Sequence, residues 1–160
     1  YRKQYDFNSI MVILTNLYGP NDNFNVDTSH VIAALIRRFY EAKKNNEKEV
    51  VVWGDGNSTR DFCYIDDIVN GIFKVLQSKN VFGNTYNLAS GKPIKIKTIV
   101  NMIVSKLKKG KPEFGALDYR PGENMNLVAD IKKIKKDTNW KPKVSFENGI
   151  DKTIEWYINN

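Results

Sequence analysis

The chain has 160 residues, of which 41% are hydrophobic, and a formal net charge of +7. This length suits one domain or part of a larger one, and the hydrophobic fraction excludes an intrinsically disordered segment. No apolar run approaches 18 residues, which excludes a membrane span, and the single cysteine excludes an internal disulfide. The first residues form neither a signal peptide nor an initiator methionine, so we expect the chain to begin inside a longer protein. The single cysteine favours a reducing cytoplasm.

Lysine supplies almost all of the excess positive charge and clusters at 43–48, 106–111 and 132–143. One interpretation is a basic patch for nucleic acid, and the other is a lysine-rich solvated surface. The clusters resemble helix ends and loops and do not form one stripe with interleaved aromatic residues. We therefore favour the solvated surface and expect no nucleic-acid partner.

The first predicted element is a strand over 9–14, because this run is continuously apolar. Such a run is typical of a parallel strand that is covered on both faces. A polar loop is predicted from Asn16 to Asp27, and a helix from about Ser29 to residue 44. Thr28 or Ser29 is expected to cap that helix.

Short strands and helices alternate along the rest of the chain. We predict strands at 50–53, 60–65 and 86–88, of which the second is half-buried. Helices are predicted at 66–76, at 96–107, from Asp130 to before Trp140, and from Ser145 to 157. Residues 108–127 are predicted to be rich in loops. The fold class is therefore α/β, with too few strands to cover the N-terminal one. This shortage again suggests part of a larger sheet.

Four polar side chains are candidates for a binding site. His30, the only histidine, is predicted in the first turn of its helix after the polar loop, where open α/β sheets bind ligands. A lone histidine is often structural, but in this place it could act as a general acid or base. Arg38, Arg60 and Arg120 are candidates for phosphate, which the arginine fork binds well, or for surface salt bridges.

Two other polar features are interpreted as structural. Asp66 and Asp67 have no third carboxylate or histidine at suitable spacing, so helix capping is preferred to metal binding and no metal site is predicted. Cys63 lies between two aromatic residues and is interpreted as a packing residue. The chain contains no Gly-x-Gly-x-x-Gly pattern after a strand.

The segments Asn16-Leu-Tyr-Gly-Pro-Asn-Asp-Asn-Phe24, Ser29-His-Val-Ile32 and Leu35-Ile-Arg-Arg-Phe39 closely resemble the GDP-L-fucose synthase branch of the extended short-chain dehydrogenase/reductases. More general signatures of that superfamily follow at Val50–Gly56, Arg60–Asp67, Tyr86–Gly91, Arg120–Gly122 and Trp140–Pro142. The resemblance covers essentially the whole chain. It implies the C-terminal part of a Rossmann-type enzyme, with one or two core parallel strands and a small mixed α/β substrate-binding domain.

The resemblance also implies roles for individual residues. His30 would be the catalytic acid that partners an upstream cysteine in epimerising a 4-keto sugar, before NADPH or NADH reduces the keto group. The nicotinamide end would be lined by Thr15, Asn16, Leu17 and His30. The nucleotide sugar would be bound by Asn16, Val31, Leu35, Arg38, Val52, Trp53, Arg60 and Arg120.

The resemblance implies domain boundaries and partners as well. Residues 1–27 would end the dinucleotide-binding domain, and residues 28–160 would mostly form the nucleotide-sugar-binding domain, with some segments returning to the main sheet. The complete enzyme would be a cytoplasmic homodimer that makes precursors for surface polysaccharide, and this chain alone would be inactive.

The segment Asp118–Asn126 departs from the fucose-synthase pattern and is closer to general epimerases and dehydratases. No lysine follows it where that branch has a basic nucleotide ligand, so the resemblance leaves Arg120 for this role. Two alternatives stay open: a UDP- or dTDP-sugar 4-epimerase or dehydratase, and a non-catalytic basic binding module.

Overall fold

The computed structural model describes residues 1–119 and 121–160 and confirms the α/β class. The helices are α1 (Arg2–Tyr5), α2 (Val31–Lys44), α3 (Ile65–Leu76), α4 (Ile96–Leu107), α5 (Lys132–Thr138) and α6 (Phe146–Asn159). The strands are β1 (Met11–Leu14), β2 (Asn16–Tyr18), β3 (Glu49–Trp53), β4 (Thr59–Arg60), β5 (Phe62–Tyr64), β6 (Thr85–Leu88), β7 (Ile94–Lys95), β8 (Lys111–Leu117) and β9 (Asn126–Leu127).

The strands form small sheets that are mostly parallel. β1 pairs with β6, β2 with β5 and β3 with β8, each pair in parallel. β4 is antiparallel to β7 and parallel to β9. Only Thr15 separates β1 from β2, so the first two pairs meet at this residue, whose N–H donates to the carbonyl of Leu88 at 3.2 Å.

Two hydrophobic clusters hold these elements together. The larger cluster lies where α2, α4 and α6 pack together over β3, and it contains the fully buried Ile36, Phe39, Ile99, Ile103 and Ile150. Apolar residues at three- and four-residue spacing on each helix form the side of the helix that faces this cluster, as the sequence predicted. The smaller cluster joins α3, α5 and β6 and includes Cys63, Ile68, Leu88, Ile134 and Trp140.

The prediction that the first strand is covered on both faces is wrong for this chain. β1 is shorter than predicted, and Met11 and Ile13 are 61% and 51% exposed. Among the described residues β1 has a strand neighbour only on the β6 side. Its apolar side chains therefore form a surface that the described residues of this chain leave exposed.

Three predicted segments have different backbone structure from that expected. Part of the predicted loop at 16–27 is strand β2, and the loop-rich 108–127 contains β8 and β9. The predicted half-buried strand at 60–65 divides into β4 and β5, and β5 is buried on both faces. These strands depend on partners far away in sequence, which local patterns do not report.

Predictions about helix caps have mixed outcomes. Ser145 caps α6 as predicted, since its Oγ accepts from the N–H of Asn148 at 3.2 Å. The cap residue of α2 is His30 itself, so the prediction of Thr28 or Ser29 is wrong. Asp67 does not cap α3: its carboxylate accepts from the N–H groups of Lys143 and Val144 at 3.0 and 2.9 Å and so ties down the segment before α6.

Across residues 1–119 and 121–160, no helix has both the length and the apolar composition needed to cross a membrane. Within the same ranges, no cluster of three histidine, cysteine or acidic side chains has an arrangement that could hold a metal ion.

Candidate functional site

His30 lies at the entrance of a cleft, at the N-terminus of α2. It is the N-cap residue, with extended backbone angles of φ −75° and ψ 165°, and its side chain makes no capping hydrogen bond. The side chain is exposed and lines a cavity of about 760 Å³. It is therefore accessible to a ligand, at the end of a helix where backbone N–H groups favour negative charge.

The loop before His30 is held by its own side chains and by α6. Asn23 donates through Nδ2 to Oγ1 of Thr28 at 2.9 Å, and its Oδ1 accepts from the N–H of Asn25 at 3.0 Å. The ring of Phe24 stacks on Tyr157, with centroids 4.4 Å apart, and on Trp156 at 5.7 Å. The C-terminal helix thus determines where the loop, and with it His30, is placed.

Three arginines line the same cavity: Arg37 and Arg38 on α2, and Arg60 on β4. The Nη2 of Arg38 donates to the carbonyl of Val51 at 2.5 Å, and burial, followed by the charge of Arg37, lowers the pKa of Arg38. Arg60 donates to the carbonyl of Thr59 at 2.8 Å and forms an ion pair with Glu123. This concentration of guanidinium groups at one cavity favours an anionic ligand.

Aromatic residues form the outer wall of the cavity. Trp53 is 48% exposed, and Tyr119 packs directly over Gly54, where φ is +64° and a Cβ would clash with the ring. The hydroxyl of Tyr119 donates to Asp55, and this hydrogen bond lowers the pKa of the carboxyl group. Flat apolar surfaces with a polar edge suit the stacking of a planar ring system.

Most of the residues that the sequence analysis selected are brought together here. The cavity is lined by the predicted Asn16, His30, Val31, Leu35, Arg38, Val52, Trp53 and Arg60. Thr15 and Leu17 do not line it: Thr15 donates its hydroxyl to the carbonyl of Asp61 at 2.8 Å, and Leu17 packs against the smaller cluster. Arg120 lies outside the described residues.

The cavity also contains residues that the sequence analysis did not select. These are Val26, Asp27, Ser29, Ala34, Arg37, Ser58, Ile96, Tyr119 and Glu123. Position relative to His30 could have identified those on α2, because residues three or four apart share a helix face. No local signal identifies Tyr119 and Glu123, which reach the site from a segment more than 60 residues away from Asp55 and Arg60.

Asp61 is a buried polar residue that contacts Asn16, a residue of the cavity lining. Only 1% of it is exposed, and its carboxylate accepts from the N–H and hydroxyl of Ser90 at 2.9 and 2.6 Å and from the N–H of Gly91 at 2.9 Å. Its carbonyl accepts from the Nδ2 of Asn16 at 2.9 Å, as well as from Thr15. One residue therefore connects the β1–β2 junction to the strand that carries Arg60.

Cys63 lines a second, smaller cavity of about 280 Å³, together with Phe62 and Tyr64 of β5. Burial, with smaller effects from Asp67 and Asp61, raises the pKa of its thiol to about 12. A thiol this weakly acidic is a poor nucleophile at neutral pH. The structure thus agrees with its interpretation as a packing residue.

Comparison with known proteins identifies relatives over the whole chain. A model of the NAD dependent epimerase/dehydratase family matches residues 1–89. The probable GDP-L-fucose synthase 1 of Oryza sativa subsp. japonica is 37% identical over 161 residues, which include 100% of this chain and 48% of that protein. The GDP-L-fucose synthase of Escherichia coli (strain K12) is 33% identical over 171 residues, which include 100% of this chain and 52% of that protein.

Solved structures show the same architecture. The UDP-glucuronic acid 4-epimerase of Bacillus cereus, in complex with UDP-glucuronic acid and NAD, superimposes with a TM-score of 0.80 at 26% identity, covering 99% of this chain and 48% of that one. A dTDP-glucose 4,6-dehydratase from Bacillus anthracis str. Ames, in complex with NAD, superimposes with a TM-score of 0.80 at 26% identity. The match covers 100% of this chain and 48% of that one. The chain spans about half the length of the curated relatives it matches, which confirms the expectation of a partial Rossmann-type fold.

Proposed function

The chain belongs to the NAD dependent epimerase/dehydratase family, and from this premise we propose that it is the nucleotide-sugar-binding portion of an NAD(P)-dependent enzyme. The reaction we propose is that of the curated relatives, epimerisation and reduction of a GDP-linked 4-keto-6-deoxy sugar. The observation that supports it best is one cavity of about 760 Å³ that His30, Arg38, Trp53 and Arg60 line together.

Each of these side chains has a proposed task that its position allows. Arg38 and Arg60 bind the diphosphate, because guanidinium groups supply charge and paired donors to phosphoryl oxygens. Trp53, which lines the cavity, stacks on the base. His30, at the entrance, donates a proton to the sugar carbon during epimerisation, with the opposing base supplied by protein outside this chain.

The family binds NAD(P), and the residues here fit one end of that cofactor. Asn16 and His30 lie at the cavity and can contact the nicotinamide, which supplies a hydride when bound. The chain has no glycine-rich loop for the pyrophosphate. We therefore propose that another protein segment binds most of the cofactor, NADP or NAD.

The exposed face of β1 and α3 is where we propose that this segment docks. Met11 and Ile13 of β1 lie exposed, as do Val69, Phe73 and Leu76 of α3. An apolar edge of this kind is suited to further parallel strands and their helices. On this proposal residues 1–27 belong to the dinucleotide-binding domain, the intact cytoplasmic enzyme is a homodimer, and the present chain has no turnover alone.

A UDP- or dTDP-sugar 4-epimerase or dehydratase is the second candidate. The titles of the solved structures above name UDP-glucuronic acid and dTDP-glucose at 26% identity. The curated relatives at 33% and 37% identity favour GDP. A non-catalytic nucleic-acid module has less support, because the arginines surround a cavity while the lysines are spread over helix ends.

The test is calorimetric titration of this chain with GDP, UDP, CDP and dTDP at moderate salt. We expect GDP to bind best and Arg60→Ala to weaken its binding by about tenfold or more, since a charged hydrogen bond is lost. Lys74→Ala, which removes an exposed charge on α3, is the matched control and should bind as the wild type does.

Other outcomes would change the proposal. A preference for UDP or dTDP would select the second candidate. Affinity for DNA or RNA that falls steeply with salt, with no nucleotide binding, would select the basic module. In a full-length enzyme containing this chain, His30→Gln that left epimerisation and reduction unchanged would refute the catalytic role of His30.

A further inference from the structure

Arg37 is a buried arginine with little compensation for its charge. It is 8% exposed, and its Nε is buried without a hydrogen-bond partner in the described part of the chain. The ion pair recorded for it joins its Nη1 to Oε2 of Glu41 at 3.7 Å, and the Glu41 side chain is 49% exposed. A pair this long and this accessible to solvent compensates a buried charge poorly.

The neighbouring arginines are more fully engaged. Arg38 donates to the carbonyl of Val51, and Arg60 donates to Thr59 and pairs with Glu123. Arg37 lies next to Arg38, whose pKa its charge lowers, so the two guanidinium groups repel each other. Both line the same cavity, which an anion can enter. An anion between them would remove the repulsion and use the free donors of Arg37.

We propose that Arg37 is a further anion-binding residue of the cavity, which together with Arg38 binds a phosphoryl group of a nucleoside diphosphate. The identity of the nucleoside rests on the proposed function, whereas the anion site rests on the burial and contacts of Arg37. In the absence of ligand Arg37 destabilises the fold, and the bound anion recovers that stability.

The experiment measures binding of inorganic pyrophosphate and of GDP to this chain by calorimetry, and thermal unfolding without ligand. Arg37→Gln should weaken pyrophosphate binding by about tenfold or more, because a charged hydrogen bond is lost. Arg37→Lys should restore part of the affinity. Glu41→Gln should strengthen binding, since the competing carboxylate is removed. Lys43→Gln, exposed on the same helix, is the matched charge control and should bind as the wild type does.

Thermal unfolding separates a binding role from a structural one. Arg37→Met should raise the unfolding temperature of the free protein, because it replaces a poorly compensated buried charge with an apolar side chain. An arginine that serves the fold would give the opposite result. Pyrophosphate affinity unchanged in Arg37→Gln, no pyrophosphate binding by the wild type, or a lower unfolding temperature in Arg37→Met would each overturn the proposal.

The two ligands keep this inference separate from the proposed function. If pyrophosphate binds through Arg37 and no nucleoside adds affinity, the anion site stands and the nucleotide-sugar function fails. If GDP binds equally well to the wild type and Arg37→Gln, the function stands and the role of Arg37 is wrong.

Discussion

The core around α2, α4 and α6 differs from the edge formed by β1 and α3. In the core, Phe39, Ile99 and Ile103 are fully buried, each among side chains of this chain. At the edge, Ile13 and Phe73 are 51% and 60% exposed although the residues are as apolar as those of the core. The core side chains are buried by other side chains of this chain, whereas the apolar side chains of the edge are exposed to solvent. An apolar sequence therefore shows that a segment can be buried, and only the fold shows whether this chain buries it.

The largest expected effect comes from removing a core side chain. Ile103→Ala should reduce the free energy of unfolding by about 2–5 kcal/mol, through lost burial and the cavity that remains. Urea denaturation followed by circular dichroism measures this. A loss below about 1 kcal/mol would show that the core is loose and that the contrast with the edge is wrong.

Substitution of Asp61 tests how strongly its hydrogen bonds stabilise the junction between the core and the edge. Asp61→Asn keeps the shape but replaces one carboxylate oxygen with a donor that faces the N–H groups of Ser90 or Gly91. We expect a loss of about 1–3 kcal/mol in the free energy of unfolding, because buried donors lose their acceptor. Ser90→Ala, which removes only the hydroxyl bonded to Asp61, should cost less and is the graded control. Equal stability of Asp61→Asn and the wild type would show that the junction is held by packing alone.

The raised pKa of Cys63, in the smaller cluster, predicts that the free energy of unfolding depends on pH. Burial raises the pKa of its thiol from 9.0 to about 12, so above pH 9 the unfolded chain loses a proton that the folded chain keeps. Stability is therefore fully present below pH 9 and decreases as the pH rises towards 12. Between pH 8 and 10 the wild type should lose roughly 1 kcal/mol more than Cys63→Ala. Parallel curves for the two proteins would show that the thiol titrates normally.

The smallest effect is expected at the edge. Ile13→Thr and Phe73→Ser should each change the free energy of unfolding of this chain by less than about 0.5 kcal/mol, because both side chains already face solvent. The same changes should weaken binding of a dinucleotide-binding half supplied as a separate chain. A large loss of stability in the chain alone would mean that the edge is already covered, for example by a second copy, and ultracentrifugation would detect that association.

The sequence by itself determined the features that depend on nearby residues. The helices at 96–107 and after Ser145 follow from apolar spacing and a cap, and the α/β class follows from their alternation with short strands. The resemblance of the segment from Asn16 to Phe39 identified the family, and most of the residues selected through it line one cavity.

Only the tertiary structure decided the features that join distant segments. β8 forms because Val50 and its neighbours pair with residues 62 to 64 positions later. The carboxylate of Asp61 accepts from Ser90 and Gly91 in one segment and from Ala129 in another. The exposure of β1 depends on which strands lie beside it. The charge of Arg37 can be recognised as poorly compensated only when its neighbours in space are known. Two adjacent arginines in a sequence do not show which of their hydrogen-bond donors already have acceptors. Burial and hydrogen bonding depend on all neighbours in space, whereas a sequence pattern reports only those along the chain.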